Sequence, residues 1–300
     1  MRKKSFGRFF KSIGLPLAVF LFSSCQGGSL FDPKGPIGSQ EKSLILITFA
    51  LMLIVAIPVF AMVIWFSVRY RESNKKATYK PEWEGSLKIE TVIWLVPVAI
   101  IAVLSYLTWV KTIDLDPYKP IASTERPLHV EVVSLDWNWL FIYPDENIAS
   151  INKLVIPEGR PVTFDLTSAT VMTSFFIPQL GSQIYAMAGM TTHLNLEADA
   201  TGTFLGENME YSGSGYASMH FDTVSLPQDQ FASWVQTAKA SPSRMTLTQF
   251  NQLNTPTLNY PVTTYSSVDP GLFNHIVHSF DSEMPMPQAM PADMTTSTKK

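Results

Sequence analysis

The residues with the clearest potential for chemistry lie in one short stretch in the last third of the chain. Asn208, Ser212, Tyr216 and Met219 follow one another at intervals of four, four and three residues, with two glycines among them. Glycine allows a backbone to fold tightly around something small. At this spacing two cysteines, a histidine and a methionine would form a copper site, because thiolate, imidazole and thioether groups suit copper. Only Met219 is such a donor here, so the stretch has the spacing of a metal loop without its strongest ligands.

The stretch matches the pattern of a known metal loop except at its ligands. With cysteine, cysteine and histidine at the first three positions it would read C-x-E-x-C-G-x-x-H-x-x-M, the dinuclear-copper loop of cytochrome c oxidase subunit II. Glu210, Gly213 and Met219 match that pattern. Upstream, residues 170–178 resemble the strand that carries another copper histidine of that family, and Thr173 stands in its place. The frame of a copper site is retained while its ligands are replaced together.

The likeness to this family extends to three further stretches, residues 30–38, 131–144 and 174–190. Together with the replaced ligands they resemble subunit II of the cytochrome bo-type ubiquinol oxidases, the branch of the haem-copper oxidases that takes electrons from quinol. The resemblance covers nearly all of the chain up to about residue 280. For the loop alone, a turn rich in Gly, Ser and Tyr in an unrelated β-sandwich would be the simpler interpretation.

The resemblance implies a role and a set of partners. It implies a cupredoxin fold in a subunit that carries no metal or cofactor of its own, within a proton-translocating complex that oxidises quinol and reduces oxygen. The haems and the catalytic copper would lie in subunit I, and subunits III and IV are further expected partners. The chain would contact membrane lipid directly and quinol only through the complex. A family glutamate at the cytoplasmic mouth of the K proton pathway corresponds to Glu90.

The composition favours a membrane protein. Of the 300 residues, 46% are hydrophobic and 16% are charged, and soluble globular chains usually have about 25% charged residues. The net charge of −3 gives no support for a nucleic-acid partner, which would favour a strongly basic domain. A single cysteine excludes an intrachain disulfide and a site with several cysteine ligands.

The N-terminal residues have the pattern of a lipoprotein signal. Residues 1–24 combine a basic start with an apolar run over 13–22, which is too short to cross a bilayer. Small residues precede Cys25 as in a bacterial lipobox, although Phe22 is bulkier than the residue usually found there. We therefore expect the signal to be removed and Cys25 to carry acyl chains such as palmitate. An ordinary free cysteine is the alternative.

Two long apolar runs predict a transmembrane hairpin. Residues 43–68 and 91–110 contain no charged residue, and each is long enough to cross a bilayer. The loop 69–90 between them carries six Lys or Arg residues, so it should lie in the cytoplasm. The segment 25–42 and everything after the second run would then lie in the periplasm, outside a bacterial inner membrane. Two buried helices of a soluble protein are a poorer interpretation, because such helices rarely lack charge over about 20 residues.

The chain after the hairpin predicts an all-β domain. Between residues 113 and 227, short stretches of alternating polarity are separated by Gly, Pro, Asn and Asp, which indicates a Greek-key antiparallel sandwich or a barrel. The expected strands are 129–133, 153–157, 161–166, 192–197 and 221–226. A C-terminal extension, 228–280, should contain helices at 228–240 and 271–280. The Met- and Pro-rich tail 281–300 is expected to be disordered.

Glu90 and a group of aromatic residues are the remaining candidates. Glu90 stands at the membrane boundary in the pattern E-x-x-x-W-x-x-P, where an acid can hold and pass a proton. A plain interfacial carboxylate is the alternative. Trp137, Trp139 and Tyr143 match aromatic residues at the electron entry of copper-bearing relatives, but without copper we interpret them as a strand packed against subunit I. No histidine belongs to an H-x-x-x-H motif, and His220, directly after the loop, is the one to examine.

Three functions fit these features to different degrees. The preferred one is the copper-free subunit II of a proton-pumping quinol oxidase, which scaffolds subunit I and contributes Glu90 to proton entry. A copper-bearing cytochrome c oxidase subunit is disfavoured, because no cysteine follows Cys25. The third is a membrane-tethered periplasmic lipoprotein with a β-sandwich binding module. Co-purification with a haem protein would separate it from the first.

Overall fold

The computed structural model describes residues 29–76, 78, 81–82 and 84–280. The predicted signal peptide, Cys25 and the Met- and Pro-rich tail lie outside these residues. Within them the chain forms two long helices, a domain of short strands, and an extension with three short helices and one more strand.

Both apolar runs lie inside helices that are longer than the predicted spans. Helix α1 is Pro36–Arg69 and helix α2 is Leu87–Asp114. Helix α1 begins at Pro36, within the segment 25–42 that we expected to precede the membrane. Proline is well suited to the first helical turn, because the N–H that it lacks would have no partner in the helix there. Their apolar stretches are not buried by the rest of the described chain. At about 1.5 Å per residue both exceed a hydrocarbon core of about 30 Å, so each is long and apolar enough to cross a membrane.

Eleven strands in the described part of the chain form two sheets. The strands are β1 Leu128–Ser134, β2 Trp139–Tyr143, β3 Ile148–Ile151, β4 Lys153–Pro157, β5 Val162–Ser168, β6 Thr173–Ile177, β7 Gly181–Ala186, β8 Thr192–Leu196, β9 Gly202–Asn208, β10 His220–Leu226 and β11 Thr263–Tyr265. One sheet has the order β11-β3-β2-β1-β5-β8 and the other the order β4-β10-β9-β6-β7. They pack face to face as a cupredoxin-like sandwich, so the predicted fold class is confirmed.

All five predicted strands are present, but the sandwich is not purely antiparallel. Strand β1 pairs in parallel with β5, and β10 pairs in parallel with β4. Parallel neighbours need a long connection between them. Between β1 and β5 this connection consists of β2 and β3, which stay in the first sheet, and β4, which joins the second sheet before the chain returns as β5. The alternation of polar and apolar residues within each strand does not indicate which sheet the strand joins, so the parallel pairs could not be predicted from it.

The core between the sheets is built around stacked aromatic rings. Phe175 on β6 and Phe221 on β10 stack with ring centroids 5.1 Å apart and planes 13° apart. Trp139 on β2 meets the edges of both rings at 5.4 and 5.6 Å. Such aromatic pairs contribute about 0.5–1.5 kcal/mol beyond their buried area.

A second core covers the outer face of the six-stranded sheet. It is formed by the extension, whose helices are α3 Gln228–Lys239, α4 Leu247–Leu253 and α5 Leu272–His278. Phe250, Tyr265 and Phe273 pack there with Leu140 and Ile142 of β2. The predicted helices at 228–240 and 271–280 are confirmed, while α4 and the added strand β11 were not predicted.

The start of α1 is fastened to the sandwich by its backbone. Gly38 N–H donates to Leu180 O at 2.9 Å, and Lys34 N–H donates to Gln179 O at 2.7 Å. A Cβ at Gly35 would overlap the carbonyl oxygen of Glu197, so only glycine permits this approach. The attachment therefore holds the membrane helix and the sandwich together at one end.

We expect Gly35→Ala to lower the stability of the sandwich by about 1–3 kcal/mol, because the added methyl group forces two backbone segments apart. Urea unfolding of the detergent-solubilised full chain, followed by tryptophan fluorescence, would measure this loss. Ser39→Ala, an exposed change on the same turn of α1, should leave the midpoint unchanged. Equal midpoints for Gly35→Ala and the unaltered chain would contradict the close approach.

Candidate functional site

The side chain of Asn208 forms the centre of the site predicted from the sequence. Asn208 ends β9 and is 4% exposed. Its Oδ1 accepts hydrogen bonds from Ser174 N at 2.9 Å and Glu210 N at 3.0 Å. Its Nδ2 donates to Ser212 Oγ at 3.1 Å and to Met219 Sδ at 3.3 Å. One carboxamide thus joins two strands and both ends of the loop.

The rest of the loop folds over the indole of Trp137. The Trp137 Nε1–H donates to Ser212 O at 2.9 Å. Gly215 lies directly on the indole ring, because a Cβ at this position would overlap it. A short 3-10 turn, Tyr216–Ser218, then leads into β10. The glycines recognised in the sequence therefore allow contact with a tryptophan, not with a metal.

The structure brings most of the predicted site residues together. Thr173 at the start of β6 is 1% exposed, and its Oγ1–H donates to Ser134 Oγ at 2.7 Å. Ser212 Oγ lies 3.9 Å from Met219 Sδ. Tyr216 is the exception among them, because its half-buried ring packs instead against Tyr211, with ring centroids 5.9 Å apart.

These residues do not fit the copper centre that the fold family implies. Amide and hydroxyl groups replace the thiolates and imidazoles that copper prefers, and Met219 alone is a weak donor. The polar atoms of Asn208 and the Thr173 hydroxyl are already hydrogen-bonded to neighbouring protein groups. Within the described residues no group of three or more His, Cys, Asp or Glu side chains could hold a metal ion. The arrangement is a structural hydrogen-bond network.

The aromatic residues of β2 pack inside this chain, so their predicted packing against subunit I is wrong. Trp139 and Tyr143 are fully buried, because β2 is a central strand covered by the second sheet on one face and by the extension on the other. The Tyr143 hydroxyl donates to Val155 O at 3.0 Å and accepts from Val155 N at 2.8 Å. Burial raises the pKa of that hydroxyl well above its usual value.

His220 and Glu90 lie apart from the network. His220 is exposed on β10, where it pairs with Glu207, and strand alternation directs it away from buried Met219. Glu90 is exposed in the first turn of α2, and its carboxylate lies against Gly85. An acidic residue is favourable at this end of a helix. The network and Glu90 therefore belong to separate parts of the chain.

A second polar cluster was not found from the sequence. His129, Asp165 and His193 lie on three neighbouring strands, β1, β5 and β8, and Asp165 lies between the two imidazoles. No short motif joins residues that are 36 and 28 positions apart. The one signal in the sequence is that each of the three is a polar residue in a largely apolar strand, which could have indicated that they lie on the same face of the sheet.

Two family models match the chain. The periplasmic domain of cytochrome c oxidase subunit II matches residues 145–225, and the COX aromatic rich motif matches residues 239–284. Among solved structures, the periplasmic domain of cytochrome oxidase subunit II from Bradyrhizobium japonicum is similar at 27% identity and a TM-score of 0.37. That comparison covers 39% of this chain and 97% of the other.

Similar proteins also cover almost the entire chain. The cytochrome bo(3) ubiquinol oxidase subunit 2 of Pseudomonas putida is 46% identical over 94% of this chain and 89% of its own length. The ubiquinol oxidase subunit 2 of Acetobacter aceti is 45% identical over 95% and 93%. The quinol oxidase subunit 2 of Bacillus subtilis is 34% identical over 91% and 85%.

We expect Asn208→Ala to destabilise the sandwich by about 1–3 kcal/mol, because the N–H groups of Ser174 and Glu210 lose their acceptor. Thermal unfolding of the full chain in detergent, followed by near-ultraviolet circular dichroism, measures the effect. Asn251→Ala, which changes an exposed asparagine of α4, is the matched control and should unfold no earlier than the unaltered chain. A shift of the same size in both variants would refute a special role for Asn208.

Proposed function

This chain belongs to the subunit 2 family of the ubiquinol oxidases, and we propose that it is the copper-free subunit II of a proton-translocating, oxygen-reducing quinol oxidase. The observation that supports the copper-free assignment is the Asn208 network, which uses the former ligand positions for hydrogen bonds. A subunit built this way has no metal through which electrons could enter. Electrons would instead come from quinol oxidised elsewhere in the complex.

The role of the chain in that complex is to hold other subunits. Membership of an oxidase subunit family implies partnership with the other subunits. We propose subunit I as its main partner, with the haems and the catalytic copper located there, and subunits III and IV as further neighbours. In this proposal the chain carries no cofactor, contacts no nucleic acid and meets quinol only through the complex. It would also contact membrane lipid along α1 and α2.

The orientation in the membrane follows from charge. Arg69 ends α1 and the loop after it carries Arg71, Lys75 and Lys76, and cytoplasmic loops of membrane proteins are enriched in such residues. We therefore assign the loop to the cytoplasm and the sandwich to the periplasm of a bacterium, with both helices in its inner membrane. The fastening of α1 to the sandwich is consistent with this assignment, because both contacting parts would lie on one side.

Purification through this chain tests the proposed function. An affinity tag at the C-terminus, used on detergent-solubilised membranes, should retain a protein that shows haem absorption bands. The full chain prepared without its partners should contain no stoichiometric copper. Retention of no haem protein would instead favour a membrane-tethered lipoprotein. Stoichiometric copper in the separate chain, with the purple colour of a mixed-valence centre, would favour a cytochrome c oxidase subunit.

Glu90 is proposed to contribute to proton entry. It lies at the cytoplasmic start of α2 in the proposed orientation, where a carboxyl can meet water and still face a partner subunit. Glu90→Gln keeps the size of the side chain and removes its charge. Quinol-dependent oxygen consumption should fall, by less than the roughly 10²–10⁴-fold typical of essential proton-transfer groups, because water could still reach the pathway. Haem content should stay unchanged.

The matched control is Glu84→Gln, an exposed change in the same loop, which should retain full turnover. Full turnover of Glu90→Gln at several pH values would show that Glu90 is an inert interfacial carboxylate. Loss of haem in that variant would assign Glu90 to assembly.

We also propose that Cys25 becomes the first residue of the mature chain and carries lipid. The signal pattern before it supports this proposal. Intact-mass measurement of the mature protein should show loss of residues 1–24 and the added mass of acyl chains. Cys25→Ser should still assemble, because two membrane helices anchor a protein far more firmly than acyl chains do. An uncut N-terminus would contradict lipidation.

A further inference from the structure

The outer face of the six-stranded sheet carries a carboxylate between two imidazoles. Asp165 Oδ2 lies 2.9 Å from His129 Nε2, and Asp165 Oδ1 lies 2.5 Å from His193 Nδ1. All three side chains are partly exposed, at 24% for Asp165, 36% for His129 and 45% for His193. Strand pairing places Asp165 directly beside His193 and also beside Glu131.

The cluster lies where the chain from α2 joins the sandwich. The ring of Tyr118, in the segment that connects α2 to β1, meets the His193 ring edge-on, with centroids 5.4 Å apart and planes at 83°. On the same strand β8, Asn195 donates from its backbone N and its Nδ2 to Pro117 O, at 3.1 and 3.0 Å. Thr163 on β5 donates to Asn195 Oδ1 at 2.9 Å and orients its carboxamide.

The charges in the cluster favour protonated imidazole and ionised carboxylate. The hydrogen bond with Asp165 raises the pKa of the His129 imidazole, against the opposing effect of burial, and the nearby carboxylates add to the increase. Burial raises the pKa of the Asp165 carboxyl, but the hydrogen bonds from His129 and His193 outweigh it and leave that pKa below its usual value. Burial also raises the pKa of Glu131, which His129 partly offsets.

We propose that His129, Asp165 and His193 form a pH-responsive clasp that fastens the segment leaving α2, residues 115–119, to the sandwich. While the His129 imidazole is protonated, His129 and His193 hold Asp165 between them, and His193 is kept in position under Tyr118. As the pH rises through the folded-state pKa of His129, the clasp loosens, while the hydrogen bonds from Asn195 to Pro117 remain. Only the biological meaning of the clasp, a response to periplasmic acidity, rests on the proposed function.

Other charged or titratable groups lie on the elements that adjoin the clasp. They are Glu131 on β1, Arg126 before β1, Asp145 after β2, Asp116, Tyr118 and Lys119 in the connecting segment, Asp269 before α5, and His275 and His278 in α5. Arg126 pairs with Asp145 at 3.4 Å, which reduces the effect of that carboxylate on His129. Lys119 pairs with Asp114 at 3.9 Å.

The sign of the pH dependence follows from these directions. The pKa of His129 is higher in the folded than in the unfolded chain, where it is about 6.5. His129 therefore contributes its full stabilisation below about pH 6.5, and this stabilisation is lost as the pH rises through the folded-state pKa. The pKa of Asp165 is lower in the folded than in the unfolded chain, where it is about 3.9. Asp165 therefore contributes its full stabilisation above about pH 3.9, and this stabilisation is lost as the pH falls through the folded-state pKa. The clasp is therefore strongest between about pH 4 and 6.5.

Hydrogen–deuterium exchange of the full chain in detergent tests the proposal. Labelling at pH 6 and pH 8, with times adjusted for intrinsic exchange, compares the amides of residues 115–127. We expect exchange about two- to fivefold faster at pH 8, as for the loss of a half-exposed ion pair. In the Asp165→Asn variant, the amides of residues 115–127 should exchange at the fast rate at both pH values. Asp145→Asn, which removes a nearby carboxylate outside the clasp, should keep the dependence on pH.

A second variant keeps the test decisive if Asp165→Asn folds poorly. His129→Gln retains a neutral donor for Asp165 at every pH, so the segment should exchange with a smaller dependence on pH. Equal exchange of the unaltered chain at pH 6 and pH 8 would overturn the proposal, as would a full pH dependence in either Asp165→Asn or His129→Gln. Because exchange is read without enzyme activity, these outcomes are independent of the proposed oxidase function.

Discussion

Burial of β2 on both faces is the constraint on which the rest of the fold depends. All five of its residues, Trp139 to Tyr143, are buried, so each face needs its own covering layer. The five-stranded sheet covers one face and the C-terminal extension covers the other. The extension is held in place by polar contacts as well, since Asn138 Nδ2 donates to Thr257 O and Asn152 Nδ2 donates to Tyr260 O. The extension is thus part of the domain.

The Asn208 network holds together the loop that joins β9 to β10. A loop that crosses the end of a sandwich needs something to hold its two ends together. Here one carboxamide does so through four hydrogen bonds, each with a net contribution of about 0.5–1.5 kcal/mol. The same hydrogen bonds satisfy the buried N–H groups of Ser174 and Glu210, so protein groups alone join the two ends of the loop.

The sandwich is fastened to the membrane helices at two places. At the start of α1, Glu41 Oε1 accepts from Ser182 N at 2.9 Å, next to the close backbone approach at Gly35. At the end of α2, Asn195 holds Pro117. Lys111 of α2 also donates to Gln40 of α1 at 3.1 Å and joins the two helices at this end. Two attachments restrict rotation of the sandwich relative to the helices more than one attachment would. The proposed clasp lies at the second attachment, at the end of α2.

The sequence by itself determined the membrane hairpin, five strands of the sandwich and two of the later helices, because these depend on local polarity and length. It also identified Thr173, Asn208, Ser212 and Met219 as one site, through a spacing that a turn must satisfy. Only the tertiary structure decided what those residues do, since Asn208 meets Ser174 across a sheet. The parallel pairing of β1 with β5 and the His129–Asp165–His193 cluster were likewise beyond local patterns. Both arise from strands far apart in sequence that become neighbours only when the chain crosses between the sheets.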